Sequence, residues 1–334
     1  MIRLAKKSLT SMQDAYSALQ TAIQIEFGTL PPYLYALYSI LPDTNAAATK
    51  RIKAIVMQEM IHFCLDCNIL NALGGSPMIA NPSVVPHYPG PLPGDLGGLT
   101  IHLYPFSMPA VQQGMNIETP EDGPIDFPQE KLLAMPQYQT IGQFYAELDR
   151  YLATLPASAW QVNRHQITDA QYLVGNLFAV NSYADAQRAI VEIVSEGEGG
   201  PKSPVDFQGD LAHFYRFEEI NRNQLLTKAN NPKGYAWGAP LGVDWGSAFP
   251  AISDPSTHDF SQDPPAAVAA QNACNTAYSQ MLRELQRAMS GEPDRLGNAV
   301  RAMFDLRMTA LRALNTPLSD GKSVAGPAFL FVPL

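Results

Sequence analysis

The segment EMIHFCLDCN, residues 59–68, places carboxylates, an imidazole and two thiols close together in the chain. Glu59 and His62 are three residues apart, so a helix would place both on one face, within reach of a single point beside it. Glu26 falls on the apolar stripe of the preceding predicted helix. Because an isolated ionised glutamate is costly to bury, such a residue normally has a partner. Together these residues are typical of half of a carboxylate-bridged two-metal site inside a four-helix bundle.

The same segment also fits a simpler interpretation, the ordinary filling of a helix face. A Glu-x-x-His pattern occurs in many helices by chance. Cys64 and Cys67 have no second cysteine pair and no strand–turn context, so we interpret them as small core residues rather than as a zinc or redox site. Asp66 follows His62 by one turn, where it could hydrogen-bond the free ring nitrogen or lie exposed to solvent.

The second half of the chain should supply another glutamate and another glutamate–histidine set. Glu147 lies in line with Phe144 and Tyr151 on a predicted third helix, where it could be a ligand or a solvated residue. In residues 183–199 no histidine follows a glutamate by three positions, so the nearest candidate is His213, at the start of a fifth predicted helix.

The end of the fourth predicted helix offers three further carboxylates, Glu192, Glu196 and Glu198. Glu198 follows Val191 and Val194 at helical spacing. It could also be a simple C-terminal carboxylate, although the helix dipole disfavours an anion there unless a cation compensates. The spacing alone leaves the choice among the three open.

Helical periodicity and capping residues predict the elements that must position these side chains. Ser11 and Asp14 form a capping-box pattern at the start of the first helix, and Pro31-Pro32 should bend it. A short PDTN connection makes the first two helices antiparallel neighbours. The predicted helices span residues 11–41, 46–73, 140–155, 183–198, 210–228, 265–290 and 294–315.

The proline- and glycine-rich stretches predict how these helices are organised. Residues 76–139 are predicted to form an ordered insertion over one end of the core. The best strand candidate in the insertion is 98–107. We therefore expect a metal-binding bundle over 1–228 that contains this insertion. Residues 229–334 are expected to form a loop and helical extension packed on the bundle, as one continuous domain whose tail could be a short strand.

The composition excludes several classes of function. The 334 residues carry a formal net charge of −9, which would not attract nucleic acid or an anionic membrane surface. There is no run of about eighteen apolar residues, so no membrane-spanning helix is expected. Without a secretory signal or a disulfide framework among its three cysteines, the protein is predicted to be cytoplasmic.

Four segments resemble a known family. IQIEFGTLPPYLYALYSI and QEMIHFCLDCNILNALGG, with the later SEGEG and HFYRF, are similar to the ferritin-like domain of the iminophenyl-pyruvate dimer synthase type. That domain occurs in the enzymes of violacein and rebeccamycin assembly. The resemblance covers roughly residues 10–228 and implies a ferritin-like four-helix bundle whose first ligand group is Glu26, Glu59 and His62.

The resemblance also implies the rest of the ligand set. It favours Glu198 over Glu196 or Glu192 and extends to His213, whereas Glu147 rests on bundle geometry. Two metal ions are then expected, iron or, as the alternative, manganese, because mixed carboxylate and imidazole ligands suit these metals. In this prediction Glu26 and Glu198 are outer carboxylates, Glu59 and Glu147 bridge, and His62 and His213 supply one imidazole to each metal.

The predicted function is oxidation of a small organic metabolite by dioxygen or peroxide, in specialised metabolism. The resemblance points to an amino-acid-derived imine or an aromatic compound as substrate. Two rivals stay open: a two-metal hydrolase or metal storage and detoxification protein, and an accessory protein without turnover. Assembly into a homo-oligomer is also left open by the sequence.

Overall fold

The protein folds as a mainly helical structure, as the sequence predicts. The computed structural model describes residues 3–5, 8–120, 138–168, 177–199 and 203–333, excepting the side chains of Ala5, Tyr138, Gln139 and Glu198. The helices of these residues are α1 (Met12–Ser39), α2 (Ala46–Ala72), α3 (Met108–Ile117), α4 (Ile141–Leu152), α5 (Tyr183–Glu198), α6 (His213–Arg222), α7 (Pro265–Met289) and α8 (Leu296–Leu314). Within this part of the chain, no helix is both long and apolar enough to cross a membrane.

Helix α1 begins at the predicted capping box and runs through its two prolines. Pro31 and Pro32 have no N–H, so the carbonyls one turn earlier lose their helical donors. Tyr88 donates its hydroxyl to one of these, the Gly28 carbonyl, at 2.6 Å. A Cβ atom at Gly28 would lie 2.7 Å from Leu92, so glycine is needed for this close approach. The segment around Tyr88 thus compensates for the broken helical bonding of α1.

Helix α2 packs along α1 as an antiparallel partner. The helix ends where Gly74 adopts a φ of +88°, the left-handed conformation that glycine tolerates. This pair carries Glu26, Glu59 and His62, which all lie on buried positions.

The stretch 76–139, predicted as an insertion, contributes a helix that the sequence analysis did not anticipate. Helix α3 is capped by Ser107, whose hydroxyl accepts a hydrogen bond from the Ala110 N–H at 3.4 Å. It packs on α6 so closely that a Cβ at Gly114 would lie 2.7 Å from the ring of Phe217. Of the strand expected at 98–107, only β3 (Thr100–Ile101) forms, paired with β2 (Gly90–Pro91).

The remaining bundle helices follow their sequence signals, with one shortened at its end. Thr140 caps α4 and Ser182 caps α5, and the two helices pack on each other. Helix α6 ends at Arg222 rather than at the predicted 228, because Asn223 takes a left-handed φ of 55°. The next residues form β5 (Gln224–Lys228), antiparallel to β6 (Tyr235–Pro240). A further short pair joins β1 (Leu4–Ala5) to β4 (Tyr138–Gln139).

Helices α7 and α8 form a hairpin that covers the outer side of the first helix pair. Helix α8 packs on α1 and α7 on α2, and Tyr278 stacks on Phe27 with ring centroids 6.3 Å apart. The tail is assigned no strand in its described part. Instead, the N–H groups of Leu330 and Val332 donate to Asn275 and Ser279 of α7. Because α1 and α2 are covered on both sides, almost all of their central residues are buried.

Candidate metal centre

Six polar side chains converge inside the bundle. All are less than 9% exposed, which is unusual for so many ionisable groups unless they are paired or bind a metal. They come from α1, α2, α5, the C-terminal end of α3 and the N-terminal end of α6. The six are Glu26, Glu59, His62, Glu118, Glu196 and His213.

The first group surrounds His62. Its Nδ1 atom lies 3.5 Å from Oε2 of Glu26 and 3.9 Å from Oε1 of Glu59. Its other ring nitrogen, Nε2, lies 2.8 Å from Oε2 of Glu196. The imidazole therefore turns Nδ1 to two carboxylates and is held from behind by a third.

The second group repeats this arrangement around His213. Its Nδ1 atom lies 2.9 Å from Oε1 of Glu59 and 3.6 Å from Oε2 of Glu118. Its Nε2 atom faces Oε1 of Gln58 at 3.3 Å. The two imidazole rings are 5.6 Å apart, and Glu59 belongs to both groups.

These donor atoms fit two metal ions. Ligand atoms at about 2.0–2.2 Å from one metal lie no more than about 4.4 Å from each other, and the four separations from Nδ1 of His62 and His213 are all shorter. Nδ1 of His213 is buried and lacks a hydrogen bond of normal geometry among the described residues, although Glu59 is so near. A ring nitrogen and a carboxylate oxygen this close, without a hydrogen bond of normal geometry between them, form a pair of donor atoms that a cation could bind.

The electrostatics of the group favour a cation as well. Burial, and then the charges of Glu26 and Glu118, raise the pKa of Glu59 to about 7. Burial alone would lower the pKa of His62, but hydrogen bonds to Glu196 and Glu26 hold it well above its usual value. The carboxylates thus repel one another and attract positive charge, which two divalent cations would supply.

A hydroxyl connects the first group to a further buried carboxyl. The hydroxyl of Tyr145 lies 2.9 Å from Oε1 of Glu26 and 2.8 Å from Oδ2 of Asp66. A phenol has only one hydrogen to donate. Burial, and then the charge of Glu26, raise the pKa of Asp66 well above its usual value. We therefore place a proton on Asp66, which donates to Tyr145, whose own hydrogen goes to Glu26. Asp66 does not hydrogen-bond His62, one of the alternatives that the sequence left open.

Two more hydroxyls orient the carboxylates. Thr29 donates to Oε2 of Glu59 at 2.7 Å, and Tyr33 donates to Oε1 of Glu118 at 2.5 Å. In each case the hydroxyl occupies one oxygen and leaves the other turned to the histidines. The hydrogen bonds therefore preorganise the side chains for a metal rather than occupying every lone pair.

The structure brings four of the six sequence-predicted ligands together: Glu26, Glu59, His62 and His213. Glu147 lies elsewhere: its carboxylate accepts the N–H of Leu9 at 2.9 Å and pairs with Arg150 at 2.6 Å. Two positions along a helix point to nearly opposite sides, so Tyr145 reaches the centre and Glu147 cannot. The side chain of Glu198 is outside the described part of the structure.

Two carboxylates take places that the sequence analysis did not assign. Glu118 follows α3 and joins the His213 group, and Glu196 holds the ring of His62. The signal for α3 was present as Ser107 before Met-Pro, a helix cap followed by an early proline. Helix α3 was not predicted because the many prolines and glycines in 76–139 are typical of irregular structure. Glu196 was considered, but spacing along α5 could not tell it from its neighbours.

Comparison with known families covers most of this helical region. The model of the family described as "Ferritin-like" matches residues 19–222, which contain both donor groups. The chain belongs to the ferritin-like family. The expected ferritin-like bundle is thereby confirmed.

Two individual proteins extend this result. A solved ferritin-like protein from Caulobacter vibrioides shares the fold with a TM-score of 0.65 and 23% identity, over 96% of this chain and all of that chain. The dichlorochromopyrrolate synthase of Lentzea aerocolonigenes is 22% identical in an alignment 383 residues long that covers 96% of this chain. The ferritin-like chain described here spans only 36% of the length of that synthase.

Proposed function

We propose that this ferritin-like protein binds two metal ions, expected to be iron, and oxidises a small organic metabolite with dioxygen or peroxide. The observation that carries the proposal is the sharing of Glu59 between two donor groups. In this assignment Glu26 and His62 would hold one metal, Glu118 and His213 would hold the other, and Glu59 would be available to both. Manganese is the alternative, since the same donor types suit both metals.

When bound, two reduced iron ions supply electrons for the reduction of dioxygen or peroxide. The protein's own contribution is to position the ligands. Glu196 and Gln58 orient the two imidazoles through their outer nitrogens. The ionised bridging carboxylate requires loss of the Glu59 proton, whose pKa is raised to about 7 in the metal-free site.

The substrate part of the proposal draws on the relative. A dichlorochromopyrrolate synthase is, by its name, a biosynthetic enzyme that makes a small organic product. We extend this to a small metabolite here, and to an amino-acid-derived imine or an aromatic compound as the substrate class. An open cavity lies beside the two donor groups, where such a molecule would bind.

The proposal is tested with protein purified and loaded with iron(II) under anaerobic conditions. We expect two irons per chain, and rapid dioxygen uptake when air is admitted. A hydrolase would instead cleave ester substrates with any divalent metal and without dioxygen. An accessory protein would bind metal without taking up dioxygen, and a protein that binds no metal contradicts the proposal outright.

A further inference from the structure

An open cavity lies against the two donor groups. Its inner end is formed by buried carboxylates and an imidazole: Glu26, Glu59, His62 and Glu118. Its outer end is formed by residues that are partly exposed: Thr119, Ile141, Val194 and Gly197. The cavity therefore runs from the protein surface to the candidate metals.

The walls between these ends are apolar. They consist largely of branched aliphatic side chains, namely Ile25, Ile117, Ile141, Ile193 and Val194. No lysine or arginine is among the described residues that line the cavity. A negatively charged group along these walls would lack a counter-ion, whereas an uncharged apolar group would displace poorly bound water.

Gly197 stands at the mouth of this cavity, in the last turn of α5. Unlike Gly199, which follows the helix with a φ of +88°, Gly197 does not adopt a left-handed conformation. Among the described residues, a Cβ atom there would meet only Oε2 of Glu118 within 4 Å, at 3.9 Å, which is an ordinary contact. Neither backbone strain nor packing against the described residues requires glycine, and alanine would favour the helix more. What the missing side chain provides is open space beside a candidate metal ligand.

We propose that the cavity receives an uncharged apolar or aromatic portion of the substrate, and that Gly197 sets the size of the group that can pass. This assignment rests on the proposed function, because it places that portion next to the two metals. Gly197 is then a specificity-determining residue because it has no side chain to narrow the mouth of the cavity. It is not itself one of the candidate metal ligands.

The charge preference is tested with two probes of nearly equal shape, benzamide and benzoate. Calorimetric titration of the full-length, metal-free protein should show benzamide binding at least about tenfold tighter than benzoate, because the carboxylates at the inner end repel an anion. Equal or tighter binding of benzoate would overturn the assignment. The metal-free form is used for this comparison because benzoate could itself coordinate a bound metal.

The size preference is tested with Gly197→Leu against Val191→Leu, a change on the exposed side of the same helix. With zinc(II) as a redox-inert metal, benzamide should bind at least about tenfold more weakly to Gly197→Leu, since a filled pocket excludes the ring. Val191→Leu should bind it as the wild type does, and both variants should retain their zinc. Unchanged binding to Gly197→Leu contradicts the inference.

A second variant keeps the test decisive if Gly197→Leu does not fold. Ile141→Ala enlarges the same mouth, so it should bind the larger 2-naphthamide at least about tenfold tighter than the wild type does. No gain would contradict the size assignment. Elemental analysis of every sample separates this inference from the proposed function. Normal benzamide selectivity in a protein that takes up no metal contradicts the metal centre and supports the cavity assignment.

Discussion

The two halves of the candidate metal centre are built in different ways. The His62 half is supplied by α1 and α2, helices of 28 and 27 residues that follow each other in the chain and pack along their length. The His213 half is supplied by the ends of α3 and α6, each of ten residues and distant in sequence. One half is thus contained within a hairpin, whereas the other exists only after the chain has folded.

The two halves also differ in what lies behind each imidazole. His62 is held at 2.8 Å by the carboxylate of Glu196. His213 faces the amide oxygen of Gln58 at 3.3 Å, and that oxygen also accepts a hydrogen bond from Arg216 at 2.6 Å. A carboxylate partner raises the basicity of an imidazole ligand more than a shared amide does. We therefore expect the His62 half to bind metal more tightly.

The largest effect should come from the residue that both halves share. Glu59→Ala removes a ligand from each donor group, so the iron content should fall from two to well below one per chain. The measurement is elemental analysis after anaerobic iron(II) loading and desalting, with circular dichroism to verify folding. Retention of even one tightly bound iron would show that the halves do not depend on a common carboxylate.

The difference in how the two halves are built also explains which of their residues the sequence could predict. The sequence could predict that Glu26, Glu59 and His62 lie together because helical spacing places them on facing stripes of neighbouring helices, and periodicity reports such local geometry. Glu118 was not found, because a short helix within a proline-rich stretch gives little periodic signal. Its place beside His213 depends on the close contact of Gly114 with Phe217, which is a tertiary fact.

The second effect compares two glutamates: Glu118, which the structure places beside His213, and Glu147, which the sequence analysis predicts as a bridging ligand. Glu118→Ala should reduce the iron content from two to about one, because the His62 half keeps its own ligands. Glu147→Ala should keep both irons, since its carboxylate is engaged with Leu9 and Arg150 away from the centre. Loss of iron in Glu147→Ala, with normal content in Glu118→Ala, would restore the sequence-based assignment.

A smaller effect is expected from the groups behind the imidazoles. Glu196→Gln keeps the volume and removes the charge, and loss of such a partner typically weakens metal binding about 10–100-fold. Gln58→Leu removes the weaker partner of His213 and should affect affinity less. Competition titration with a chelator measures the metal affinity of both variants. Equal losses would mean that the carboxylate gives the His62 half no advantage.

The smallest effects should come from the two tyrosines that hydrogen-bond Glu26 and Glu118. Tyr145→Phe removes the hydrogen-bond partner of a buried oxygen on each of two residues, Glu26 and Asp66. Tyr33→Phe removes the partner of a single buried oxygen, on Glu118. A buried polar group that loses its partner costs about 1–3 kcal/mol of stability, so Tyr145→Phe should lower the free energy of unfolding more. Urea denaturation of the metal-free proteins measures both changes.

Asp66→Asn tests whether Asp66 carries the proton that we place on it. If Asp66 is protonated and donates to Tyr145, an asparagine amide can donate in its place, and the free energy of unfolding should change by less than about 1 kcal/mol. If Asp66 were instead an ionised acceptor, the amide would accept from Tyr145 through its oxygen and would place its NH₂ group where Oδ1 lies, which has no hydrogen-bond partner among the described residues. A loss in Asp66→Asn as large as in Tyr145→Phe would therefore contradict the donor chain. The carboxyl groups around His62 would then carry one more negative charge than this proton assignment gives them.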